Sequence, residues 1–182
     1  MKVSLISTCS EKFSEREFVN PIINLIEKHP SLDQINRFHH NQLNPSLISD
    51  SDRILICGTS LQDDNYLKNI DCFKFLLNSN TTPTLGICSG MQIISLLGGC
   101  KLVANREIGI IDIKTISKNK LCNGNFQAFS LHNYSISETS KLQILATSSK
   151  APQVVKIHNL PIYGVSFHPE VRNEAIISNF LA

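Results

Sequence analysis

The chain has 182 residues, 42% of them hydrophobic and 18% charged, which suits one globular domain and no disordered or collagen-like segment. Its 17 Lys and Arg are scattered among 15 Asp and Glu for a net charge of +2, without the basic run that marks a nucleic-acid binder. The six cysteines contain no C-x-x-C pair, no apolar stretch approaches the ~20 residues that span a bilayer, and the N-terminal apolar run is too short for a secretory segment. The expectation is a soluble, reducing, cytoplasmic setting with no metal site, cofactor, nucleic acid or membrane.

Apolar runs of strand length alternate with longer segments of helical period, the pattern of a parallel sheet covered by helices. KVSLIS (2–7) is predicted as the first strand. From Glu15 to Lys28, Phe18, Ile22, Leu25 and Ile26 share one helical face, with Pro21 restricting where the first turn lies. In RFHHNQL, His39 and His40 would point to opposite faces of a strand, which argues against joint metal ligation. RILIC (53–57), continuous and β-branched-rich, reads as a central strand buried on both faces. Tyr66 to Leu77 is predicted as a helix with Leu67, Ile70, Phe73, Phe75 and Leu77 on its apolar face. PTLGI (83–87) is another short strand, and SGMQIISLLGG (89–99) a helix closed by a glycine pair.

Beyond Lys101 the runs IGIIDIKTI (108–116), FQAFSLH (126–132) and LQILATSS (142–149) alternate like antiparallel strands. VVKIH (154–158) and IYGVSFH (162–168) then lead into a helix from Asn173 to Leu181. Without a repeat, low-complexity tract or linker, residues 1–182 are expected to form one α/β domain. Its sheet is expected to be doubly wound, mainly parallel and flanked by helices, with a smaller antiparallel section in the second half.

Two motifs carry chemistry. In LGICSGMQ a strand runs into Gly86-Ile87-Cys88-Ser89-Gly90 and a helix begins at once, which is the plan of a nucleophile elbow. The flanking glycines permit a sharp bend and close approach, and the helix N-terminus favours a thiolate or an oxyanion. In YGVSFHPEV a strand ends at His168, and Pro169 directs the chain out of the sheet so that His168 and Glu170 reach its carboxyl edge. A cysteine nucleophile needs a base, and the base needs an orienting group. Taken singly, a small buried cysteine and a surface His-Pro-Glu turn explain each motif as well; taken together they match a Cys-His-Glu triad.

The two motifs, in this order, resemble the class I glutamine amidotransferases. The resemblance implies a flavodoxin-like fold and hydrolysis of the glutamine side-chain amide through a γ-glutamyl thioester on Cys88, with His168 as general base and acid and Glu170 as its orienter. It further implies an oxyanion hole from the backbone N–H groups of Gly58 and Ser89, a substrate-holding role for Gln92, and ammonia passed to a separate synthetase. GICSGMQ, LLGG and NREIG (105–109), with FHPEV and SNFLA, are most similar to the glutaminase of GMP synthetase, implying a partner of the ATP pyrophosphatase type. Two stretches depart from that pattern. CGTS (57–60) stands where a G-G-P loop is usual, and LHNY (131–134) where S-H-G-D supplies an Asp to the substrate's α-amino group. LHNY is closer to the V-H-S-Y of the imidazole glycerol phosphate synthase glutaminase, and His132 is either a near-site residue or a solvated strand end. A glutaminase of that second type, a stand-alone γ-glutamyl hydrolase and a non-catalytic descendant are the alternatives.

Overall fold

Short strands with both faces covered need nothing but apolar side chains, and the first half of the chain supplies them. The computed structural model describes residues 1–78, 82–137 and 139–182. Its parallel strands are β1 (Lys2–Ser7), β2 (Gln34–His39), β3 (Arg53–Ile56), β4 (Thr84–Ile87) and β9 (Ile162–Val165). The antiparallel strands are β5 (Leu102–Thr115), β6 (Asn125–Ile136), β7 (Leu142–Thr147) and β8 (Pro152–Ile157). All nine form one sheet in the order β2-β1-β3-β4-β9-β8-β7-β5-β6, parallel up to β9 and antiparallel beyond it.

Register decides what lies on each face. Leu5, Leu55, Leu85 and Tyr163 are aligned across β1, β3, β4 and β9, and the adjoining row is Ile6, Ile56, Gly86 and Gly164. The leucine side packs with Phe18 of α1 (Glu15–Phe18), Ile22 and Ile26 of α2 (Asn20–Ile26) and Phe180 of α4 (Ala175–Leu181). The isoleucine side packs with Met91, Ile93 and Ile94 of α3 (Ser89–Leu97) and with Tyr66, Phe73 and Leu76. Helices thus cover both faces, as a doubly wound sheet requires. Among the described residues no helix is long and apolar enough to cross a membrane.

Where α3 crosses the sheet, the second row is glycine for a steric reason. A Cβ on Gly90 would fall 2.4 Å from the carbonyl oxygen of Ile56, and one on Gly86 would meet the Gly90 backbone at 2.4 Å. On Gly164 it would meet Cγ of Met91 at 2.8 Å. The first turn of the helix therefore lies directly on strands β3, β4 and β9.

Several predicted elements change on folding. The helix expected over Glu15 to Lys28 is two helices ending at Ile26, broken at Val19 (φ −114°, ψ −51°), with Pro21 in the first turn of α2, where its missing N–H leaves no bond unmade. Residues Asn65–Leu77 form 3-10 rather than α-helix, interrupted at Asn69 (φ −120°, ψ 23°). The tighter winding turns Tyr66, Phe73 and Leu76 inward and leaves Leu77 exposed. β2 carries no apolar-run signal because, as an edge strand, it is only partly buried. It ends at His39 and His40 opens a 3-10 turn, so the two rings lie 4.5 Å apart instead of on opposite faces.

Gly90→Ala is expected to destabilise the fold by about 1–3 kcal/mol, the usual penalty of overpacking, read as a lower midpoint in urea denaturation.

Candidate active site

The carboxyl ends of β1, β3, β4 and β9 converge, and the segments leaving them hold Gly58, Cys88, His168 and Glu170, with Ser89 and Gln92 in α3 and His132 on β6. Cys88 joins β4 to α3 with φ 52° and ψ −106°, a conformation costly for a residue with a side chain, at about 1–3 kcal/mol. The sharp bend is taken by the cysteine itself. The glycines on either side serve the close approach of helix to sheet, which corrects the expectation that they make the bend. Two bonds hold the turn: Cys88 N–H donates to the Val165 carbonyl at 2.8 Å, and Gln92 N–H donates to the Cys88 carbonyl at 3.1 Å.

His168 and Glu170 leave the end of β9 and meet each other, Nδ1 of the ring lying 2.7 Å from Oε1 of the carboxylate. Both are buried, and Nε2 of His168 has no hydrogen-bond partner among the described residues. A carboxylate on Nδ1 fixes the ring and leaves Nε2 as the atom that can hold the thiol proton. Burial opposes a charged ring, but Cys88 and then Glu170 outweigh it and raise the His168 pKa to about 10. Gly58 occupies the space between: a Cβ there would fall 2.8 Å from Cε1 of His168 and 3.2 Å from Cβ of Cys88. Cysteine, imidazole and the Gly58 backbone are thus brought together as the sequence implied.

Ser89 is the first residue of α3, so its N–H has no acceptor within the helix. Its hydroxyl is within 2.8 Å of the Thr8 hydroxyl and donates to the Cys57 carbonyl at 3.2 Å, tying the ends of β1, β3 and β4 together. The CGTS loop is pinned by Thr59, whose hydroxyl donates to Asp63 at 2.7 Å; Asp63 also accepts from Ser10 N–H at 2.6 Å. Gln92 sits one helical turn below Cys88, accepting from the Tyr66 hydroxyl and donating to the Tyr134 carbonyl at 3.4 Å.

β6 is last in the strand order, yet it reaches back over the site. Carbonyls along it accept in turn from the Asn173 side chain (Gln127, 2.7 Å), His168 N–H (Phe129, 2.8 Å), the Cys88 thiol (Leu131, 3.6 Å) and Gln92 (Tyr134). The sheet therefore curls until its far edge covers the carboxyl ends of β4 and β9. His132 is 3% exposed, so it is a buried wall of the site and not a solvated strand end. The cleft that Cys88 shares with Ser89, Gln92, His132 and Tyr134 has a volume of about 30 Å³, room for roughly one water.

Two participants carry no assignment from the sequence. Tyr66 reads there only as part of a helix, and nothing in its spacing links it to Gln92. Glu107, 3.4 Å from the His132 ring, lies within NREIG, where an acidic residue in alternation with Ile111 and Ile113 is the available signal.

Gly58→Ala is expected to leave the chain folded while displacing the His168 ring, slowing alkylation of Cys88 by iodoacetamide roughly tenfold or more, since a shift of about 1 Å is enough to cost such factors. The raised His168 pKa also carries a sign. The charged ring stabilises the fold in full below its unfolded value of ~6.5 and loses that contribution as pH rises through about 10. The difference in melting temperature between the wild type and His168→Asn should narrow across that window.

The Glutamine amidotransferase class-I family matches residues 24–181. A glutamine-hydrolyzing GMP synthase subunit of Pyrococcus abyssi is 31% identical over 151 residues, covering 76% of this chain and 75% of its own. Anthranilate synthase component 2 of Saccharolobus solfataricus is 33% identical over 135 residues, covering 66% and 68%. In fold, the chain superposes on a crystal structure of a candidate GMP synthase subunit from Thermoplasma acidophilum with a TM-score of 0.82 at 21% identity, covering 100% of this chain and 92% of that one. Loops bearing Cys88, His168 and Glu170 on a doubly wound, curled sheet, together with a match over most of its length, establish that this chain belongs to the class I glutamine amidotransferase family.

Proposed function

We propose that residues 1–182 act as one glutaminase domain that hydrolyses the side-chain amide of glutamine and supplies ammonia to a separate synthetase, of the GMP synthetase type with an ATP pyrophosphatase partner. The observation that carries the reading is Cys88, held in a strained turn at a helix N-terminus beside a His168 whose Nδ1 is committed to Glu170 and whose Nε2 is free of other partners among the described residues. The choice of partner is supported by the GMP synthase relatives and by the NREIG and FHPEV segments.

In this mechanism Nε2 of His168 holds the thiol proton in an ion pair with Cys88, as its raised pKa favours, and the thiolate sulfur attacks the amide carbon of glutamine, forming a C–S bond and an oxyanion. The N–H groups of Ser89 and Gly58 receive that charge, and donors of this kind are worth ~2.7–4 kcal/mol each in acyl transfer. His168 passes its proton to the nitrogen as the C–N bond breaks, and ammonia leaves. A water then gives a proton to His168 and its oxygen attacks the thioester; the C–S bond breaks, glutamate departs and the Cys88–His168 pair is restored. Glu170 keeps the imidazole oriented and stabilises its charged form throughout. Gln92, held by Tyr66, forms the floor against which the substrate lies.

Two stretches of the site bear on the substrate. Thr59 and Asp63 brace a loop that lacks the usual glycine and proline, and Tyr134 stands where an acidic residue would meet the α-amino group. A γ-glutamyl hydrolase is the reading these would favour, and a substrate comparison separates the two. Purified protein, alone and with a candidate ATP-pyrophosphatase synthetase and its substrates, should release ammonia from glutamine faster than it cleaves γ-glutamyl peptides. Cys88→Ala should reduce that release by about a thousandfold or more with unchanged circular dichroism. A preference for γ-glutamyl peptides, or no ammonia under any of these conditions, would sink the proposal.

A further inference from the structure

Glu107 and His132 are buried, 4% and 3% exposed, and stand opposite each other across the β5–β6 hairpin. The proposed glutaminase reaction uses neither. Nδ1 of His132 lies 3.2 Å from the Asn105 carbonyl oxygen, and Nε2 lies within ion-pair distance of Oε2 of Glu107, at 3.4 Å, without hydrogen-bond geometry and with no other partner among the described residues. A carbonyl can only accept, so Nδ1 carries a proton. Nε2 then faces a carboxylate oxygen, and two lone pairs would oppose each other unless a second proton sits on one of the two atoms. Glu107 is also fixed by neutral donors, the Ser148 hydroxyl to Oε1 at 2.9 Å and the Gln153 amide to Oε2 at 2.6 Å. Gln153 in turn accepts from Ser166, two residues before His168. The ring of His132 lines the cleft of Cys88 and also a smaller cavity that Cys88 shares with Met91 and Ser166.

We propose that Glu107 and His132 hold one proton in common as a buried ion pair beside Cys88, and that Glu107 is a positioning residue that acts through His132 to keep this wall of the site electrically neutral while the Cys88–His168 ion pair forms. The inference rests on Cys88 being the nucleophile. With the shared proton the pair has no net charge. Without it the pair is a buried anion near the sulfur, where a like charge disfavours the thiolate. Burial pulls the His132 pKa down against Glu107 and the Asn105 carbonyl, with His168 adding to the pull.

Other charged or titratable groups face the pair from each neighbouring element. His168 and Cys88 do so from the strand ends, Asp63, Asp64 and Tyr66 across the cleft, and Tyr134 from the same strand. On the Glu107 side, Arg106 and Lys150 stand at the mouth of the groove above it. Among these, Glu107 is the acidic group within ion-pair distance of the His132 ring.

The test compares the pH dependence of Cys88 alkylation by iodoacetamide in the wild-type chain and in Glu107→Gln, with thermal melts to verify folding. The wild type should show two ionisations. In E107Q the second should vanish or move by at least about one pH unit while the first is unchanged. Superimposable profiles from a folded variant would overturn the proposal. A measurement that needs no variant decides the matter if E107Q does not fold: the ring-nitrogen resonances of His132 in the wild type. Nε2 should report a proton that titrates with the second ionisation, whereas a bare, pH-invariant Nε2 would refute the idea. Glutamine takes no part in either readout, so a failure of the glutaminase reading leaves the result standing and interpretable.

Discussion

The close approach of α3 to the sheet is the constraint on which the rest of this molecule depends. Because Gly90 presents no side chain to the Ile56 carbonyl, the helix can begin on top of β3 and β4 instead of a turn further away. That position forces the chain to reverse within one residue, and Cys88 takes the unfavourable φ of 52°. Dense packing on both sides of the turn stabilises what isolated backbone would not tolerate. The same glycine row lets Met91 lie against Gly164 of β9, so the strand that ends in His168 is packed directly against the helix that begins at Cys88.

Closure of the site comes from the opposite end of the sheet. The antiparallel half curls until the free edge of β6 supplies acceptors to His168, Cys88, Gln92 and Asn173. An edge strand normally leaves such groups to water or to a partner. Here they are absorbed by the loops of the parallel half, so the two halves of the sheet enclose the nucleophile between them. Enclosure lowers the local dielectric, and charge on either ring or carboxylate then has more influence on the sulfur than it would at a surface. The raised pKa of His168 is one expression of that coupling.

Both departures from the family pattern have a structural counterpart. The CGTS loop, without a second glycine or a proline, is braced by a hydroxyl-to-carboxylate bond from Thr59 to Asp63, and its Gly58 is still the residue with no room for a Cβ. LHNY places His132 and Tyr134 along the same cleft, the histidine buried in its wall and the tyrosine at its exposed end, 41% accessible.

The nucleophile turn, the His-Pro-Glu exit and the alternation of buried strands with helices are legible in the sequence, because each is written in contiguous residues: the apolar run of RILI, the glycines around Cys88, the proline between His168 and Glu170. Three features are not legible there, because they depend on what residues far apart in the chain do to one another. Asn65–Leu77 winds as 3-10 helix to turn Tyr66 toward Gln92. β2 is an edge strand with little apolar signal. Glu107 belongs with His132 only because β5 and β6 pair in one register. Local pattern determined which residues could do chemistry, and the curl of the sheet decided which of them meet, since that curl is set by packing and register across the whole fold and by no single segment of it.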